Sequence, residues 1–152
     1  MMTHQPQRGF TLLIAVVLSS VSLSIGLVLL DLALKQVLLS SAARQSQIAF
    51  YNADSVLECA LYYDQKFDRF GYSETSGTVT CNGSSTPIPV NFYSNSGNPR
   101  VRTFSVPCAD GGTLGSVTIT KTSEADTGIF ANGYNTCTDS ARRIERGMKV
   151  VY

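Results

Sequence analysis

The sequence predicts an α+β fold, in which one long N-terminal helix packs by its C-terminal half on a small antiparallel β-sheet. An uncharged apolar run extends from Phe10 to Leu30. Beyond Asp31 there is no glycine before Gly71 and no proline before Pro87. After Phe70-Gly71 the composition turns to Gly, Ser, Thr and Asn with short β-branched runs. These changes divide the chain into a leader, 1–9, an apolar helix, 10–30, the outer half of the same helix, 31–70, and a β-rich globular domain, 71–152.

Pro6 breaks helix within the leader, and Arg8 is the charge that stays inside under the positive-inside rule. The N-terminus is therefore expected on the cytoplasmic side and everything after Asp31 outside. The run from Phe10 to Leu30, about 21 residues, spans about 30 Å as a helix, the thickness of a bilayer's hydrocarbon core. A secretory signal would have a shorter apolar core closed by an Ala-x-Ala-like site, and none follows Leu30. Gly26 and the serines Ser19, Ser20, Ser22 and Ser24 interrupt the apolarity. Such serines bond to their own backbone or to a neighbouring helix.

From Leu32 to Lys66 the chain is rich in Ala, Leu, Gln, Ser and Lys, so the helix is expected to continue. One helix from about Phe10 to Lys66 is roughly 85 Å long. Leu38, Ala42, Ala49, Ala53, Val56, Ala60 and Tyr63 recur at three- and four-residue steps and form one stripe. Its small side chains allow a sheet to approach closely. Arg44, Gln47, Tyr51, Ser55, Glu58 and Tyr62 fall on the other side.

Strands are expected at 78–81, 88–93, 100–106, 116–121 and 147–152, separated by turns at Asn82-Gly83, Asn95-Ser96-Gly97-Asn98 and Asp110-Gly111-Gly112. Val117 and Ile119 alternate with Thr118 and Thr120, the pattern of an antiparallel sheet with one face on a helix. Cys59, Cys81, Cys108 and Cys137 all lie beyond the apolar run, with no two-residue spacing of a structural zinc site. In an oxidising compartment they read as two disulfides, which a small domain with a thin core uses to advantage. Three pairings are open. Cys59 with Cys81 and Cys108 with Cys137 close the shorter loops, and the first would pin the helix end to the opening of the sheet.

A short polar leader ending in Gly9, then Phe10-Thr11-Leu12 and an apolar helix, resembles the class III signal of type IV pilins and type II secretion pseudopilins. The matching segment, Gln7 to Leu18, is short but specific. The resemblance implies the type IV pilin fold, cleavage after Gly9 by a prepilin peptidase, and methylation of the new amine of Phe10. It also implies a helix kept first as a membrane anchor and later as filament core. Other pilin subunits and a pilus assembly platform are the implied partners, with the cytoplasmic membrane as the site before assembly and a cell-surface filament after it. Phe10, Thr11 and the residue at position 14 would carry assembly.

Most pilins have Glu at the fifth mature position, where its carboxylate meets a neighbour's amine, and this chain has Ile14. A carboxylate there costs about 2.5–3.5 kcal/mol on insertion scales, partly recovered by pairing. Ile14 has neither the cost nor the pairing. Among pseudopilins the subunit lacking this Glu is typically at the tip, so a minor, tip-associated or initiating role is expected. A filament branch that dispenses with Glu is the alternative. Two further stretches, Ala49-Phe50-Tyr51-Asn52-Ala53-Asp54-Ser55 with Glu58-Cys59-Ala60-Leu61-Tyr62, and Gly133-Tyr134-Asn135-Thr136-Cys137 with the segment 142–152, resemble PilX-like minor pilins.

Catalysis is not expected. The only histidine, His4, is in the leader, and neither a phosphate-binding Gly-x-x-x-x-Gly-Lys loop nor a Gly-x-Ser-x-Gly elbow occurs. Asp54 and Glu58 lie one helical turn apart, an arrangement that more often marks a solvated face than an acid/base pair. Asp110, Glu124 and Asp126 lie in glycine-containing loops, but without the alternating ligands of an EF-hand, so neither a metal nor a cofactor is expected. Asn82-Gly83-Ser84 matches a glycosylation sequon and is first a turn motif. The net charge of +1 gives no long-range field. Arg142, Arg143, Arg146 and Lys149 form one basic cluster, with Arg142 and Arg146 at helical spacing. It is either a solvated surface patch or a contact for DNA phosphates or surfaces. Three functions are thus open: a filament subunit, a filament-borne DNA or surface binder, and an unassembled membrane-anchored domain.

Overall fold

The computed structural model describes residues 8–83, 86–93, 98–123 and 126–152, with side chains from Phe10 onward. The leader to Gln7, including His4, and Ser84, Glu124 and the expected turn residues Asn95, Ser96 and Gly97 lie outside the described residues. Among the described residues helix α1 (Arg8–Phe67) precedes seven strands: β1 (Thr78–Val79), β2 (Ile88–Pro89), β3 (Asn91–Tyr93), β4 (Arg100–Pro107), β5 (Thr113–Lys121), β6 (Thr127–Tyr134) and β7 (Glu145–Val151). The chain forms two compact units, Met1–Ala42 and Ala43–Tyr152.

In the first unit every described side chain, from Phe10 to Ala42, is exposed. This part of α1 is apolar and long enough to cross a membrane, with a mean hydropathy of 2.6 over its most apolar window. Three of its serines are satisfied within the helix. Ser19 Oγ donates to Val16 O at 2.9 Å, Ser20 Oγ to Val17 O at 2.8 Å and Ser24 Oγ to Ser20 O at 2.8 Å. These hydroxyls need no neighbouring helix to be accommodated in hydrocarbon.

In the second unit α1 ends where Asp68 takes a left-handed conformation, φ 46°. Its N–H bonds Asp64 O at 3.0 Å, an αL cap with aspartate in glycine's usual place. Strands β3-β4-β5-β6-β7 form an antiparallel meander in sequence order, and β1 and β2 pair separately. One face of the meander packs on α1. Ala49, Ala53, Val56, Leu57 and Ala60 are buried against Phe104 and Val106 of β4, Val117 and Ile119 of β5, and Ile129 and Ala131 of β6.

The alanine stripe functions as a seam. A Cβ on Gly133 of β6 would stand 2.7 Å from Ala53 Cα, and one on Gly115 of β5 would stand 2.9 Å from Val56 Cγ2. Glycine opposite alanine lets backbones approach to a distance that larger side chains forbid. Two disulfides join Cys59 to Cys81 and Cys108 to Cys137, the pairings that close the shorter loops. The first ties α1 to the segment after β1, and the second ties the end of β4 to the segment after β6.

Several expectations are corrected. Leu38 and Ala42 belong to the first unit and are exposed, while Leu57 and Asp64 join the buried helical face. The run 88–93 is two strands in different sheets, parted at Val90. Strand β6 was not expected, although it lies in the middle of the meander. Its Gly128, Asn132 and Gly133 lower its β propensity, and only burial between β5 and β7 compensates.

Candidate functional site

The first candidate surface is the N-terminal part of α1. Phe10 is 64% exposed and Ile14 41% exposed, and Thr11 lies on the same exposed helix. Gly9 has helical backbone next to Phe10. No charged side chain interrupts the helix from Phe10 to Leu30, and Asp31 then pairs with Lys35 at 2.8 Å, one turn on. Both partners are well exposed, so the pair marks the polar end of the run and contributes little stability. About twenty exposed apolar residues in one helix require a cover other than water.

The second candidate is the basic cluster, which the structure disperses. Arg142 and Arg146 are not on a helix: Arg142 sits in a turn and Arg146 in β7. Strand alternation places Arg146 on the face that packs on α1, where its Nε donates to Ser46 Oγ at 2.8 Å. Lys149 points to the opposite face, across from Phe130. Arg143 stacks on Tyr134, Cζ lying 3.5 Å from the ring centroid, and lies 3.5 Å from Asp139. The four side chains therefore do not form one surface.

The outer face of the meander carries a cavity of about 480 Å³ lined by Thr118, Thr120, Gly128, Phe130, Lys149 and Val151 among others. Gly128 makes the hollow, because it stands between Thr120 and Val151 without a side chain. Asp126 at the rim receives a bond from Thr122 Oγ1 at 3.5 Å and donates its N–H to Ser123 Oγ at 3.1 Å. Among the described residues no group of three or more His, Cys, Asp or Glu side chains is placed to hold a metal.

The most constrained polar chemistry is internal. Asp64 of α1 and Lys121 of β5 pair at 2.8 Å, with side chains 4% and 7% exposed. Asp64 Oδ1 accepts no well-directed hydrogen bond, so the contact is chiefly electrostatic. Its Oδ2 accepts from Tyr152 OH at 2.6 Å. Burial, and then the bond to Asp64, holds the Tyr152 phenol well above its ordinary pKa.

Arg102, 1% exposed, donates through Nη2 to Gly71 O at 2.6 Å and to Glu74 O at 3.3 Å, fixing the segment that leaves α1. Arg100 donates to Tyr72 O beside it and lies over the Tyr72 ring. Burial and then neighbouring Arg100 lower the Arg102 guanidinium from its ordinary pKa. The sequence reading missed Asp64, Arg100, Arg102, Lys121 and Tyr152. A pattern pointed to two of them: Arg102 alternates in phase with Phe104 and Val106, and Lys121 with Val117 and Ile119, so each charge falls on the buried face.

No family model matches this chain, and no curated protein and no solved structure is significantly similar to it.

Proposed function

We propose that this chain is a single-pass membrane-anchored subunit of a type IV pilus-like filament, with a minor or tip-associated place in it. The first unit anchors the protein in the cytoplasmic membrane before assembly and packs on the helices of other subunits afterwards. One observation carries the reading: the described side chains from Phe10 to Ala42 are all exposed, including an uncharged, largely apolar run beginning beside the Gly9-Phe10 junction. Lipid tails cover such a surface about as well as another helix does, so exchange between the two is governed by van der Waals fit. Ile14 adds no buried carboxylate that a preceding subunit must pair, which supports the tip position. The two disulfides fit an oxidising extracytoplasmic location for residues 43–152. DNA or surface binding through the basic cluster has less support, because its members spread over both faces of the sheet.

Intact mass of the protein from its native membrane tests the proposal. A chain beginning at Phe10 with one added methyl is expected, in which cysteines alkylate only after reduction. A chain retaining Met1 or Met2 would sink the filament reading and leave an anchored domain.

A further inference from the structure

Strand β7 ends the meander, and its open edge has a charge pattern complementary to itself. Thr127 and Tyr152 exchange backbone hydrogen bonds of 2.8 and 3.0 Å, and Asn135 N donates to Ile144 O at 3.1 Å. In an antiparallel ladder bonded pairs alternate. With the register Gly128↔Val151 through Tyr134↔Glu145, Arg146, Met148 and Val150 turn their backbone groups toward β6. Glu145, Gly147, Lys149 and Val151 turn theirs outward.

The edge is seven residues long, unbroken by a bulge in its ladder and free of proline. Glu145, Gly147, Lys149 and Val151 are all exposed. The opposite edge, β3, has only three residues among those described. Long, regular edges are the ones that recruit another strand.

From this we infer that β7 pairs with β7 of a second copy of this chain, antiparallel and centred on Gly147. That register places Glu145 of each copy opposite Lys149 of the other, giving two cross-strand ion pairs between the outward-turned residues. Among the described residues neither Glu145 nor Lys149 has an ion-pair partner within its own chain. Pairing centred on Lys149 opposes two ammonium groups, and pairing centred on Glu145 opposes two carboxylates. Centring on Met148 leaves the charges facing Gly147 and Val151. Glycine suits the centre, because the Phe130 ring already covers it: a Cβ on Gly147 would lie 2.9 Å from Phe130 Cζ.

The two-fold axis of such a pair runs normal to the sheet. It therefore sets residues 43–67 of α1 in opposite directions in the two copies. The inference stands whether or not the chain enters a filament.

Full-length protein in detergent micelles is labelled in separate batches with donor and acceptor dyes, and energy transfer on mixing is measured. The unmodified chain gives transfer. Glu145→Lys in both batches, or Lys149→Glu in both, lowers pairing about tenfold, because each places like charges opposite one another twice. Glu145→Lys mixed with Lys149→Glu pairs again, since both ion pairs become complementary. This restoration also shows that the variants are folded. Absence of transfer with the unmodified chain, indifference to the reversals, or no recovery on mixing would each overturn the inference.

Discussion

The two units of this chain dispose of apolar surface in opposite ways. In residues 43–152 apolar side chains face inward over an alanine and glycine seam, two disulfides close the loops, and even Asp64 and Lys121 are taken out of water as a pair. In residues 8–42 the chain is helical and the hydroxyls of Ser19, Ser20 and Ser24 bond back to the helix, yet it buries none of its described side chains. One unit is finished by its own tertiary structure. The other leaves its apolar side chains uncovered, which is the observation behind the anchoring and assembling role proposed for it.

Substitutions that perturb one unit should leave the other untouched, and the largest effect is expected at the buried ion pair. Asp64→Ala strands the Lys121 ammonium and should destabilise residues 43–152 by about 3–5 kcal/mol. Chemical denaturation in detergent measures this, and Asp64→Leu with Lys121→Met should recover most of the loss. Membrane extraction of the same variant should be unchanged.

The reciprocal experiment places a charge in the first unit. Leu23→Arg should weaken membrane partitioning by about 2.5–3.5 kcal/mol, read by flotation with liposomes, while the denaturation midpoint of the disulfide-linked unit stays put. A shift of that midpoint would show that the units are energetically coupled. A smaller effect is expected at the seam, where Gly133→Ala forces the β6 backbone away from Ala53 at a cost of about 1–3 kcal/mol.

The smallest effect is confined to alkaline pH. The Tyr152 phenol has a higher pKa folded than unfolded, so the folded state holds its proton more tightly. The resulting stability is fully present below the ordinary tyrosine pKa of about 10 and is lost as pH rises through the raised folded value. Tyr152→Phe should flatten this alkaline slope, and an unchanged slope would assign it to other groups.

Local patterns in the sequence were enough for elements whose cause is local. The apolar run without a charge from Phe10 to Leu30, the absence of helix breakers up to Phe70, and the Val117 to Lys121 alternation predicted helix and sheet, because hydrophobic period and backbone propensity act over a few residues. Strand β6 escaped notice because its glycines and asparagine favour turns until β5 and β7 enclose it. The dispersal of the basic cluster was not legible, because Arg142 and Arg146 have helical spacing but occupy a turn and a strand, and strand alternation parts Arg146 from Lys149.

The sequence by itself determined where the chain is apolar, where helix ends, and that four cysteines lie together in the unit after the apolar run. Tertiary structure decided which alanines face glycines, that Asp64 meets Lys121 and Tyr152 across the core, and that β7 is left with an open edge. These are contacts between residues distant in the chain. Their energies depend on packing distance, burial and strand register, none of which a local pattern of residue types encodes.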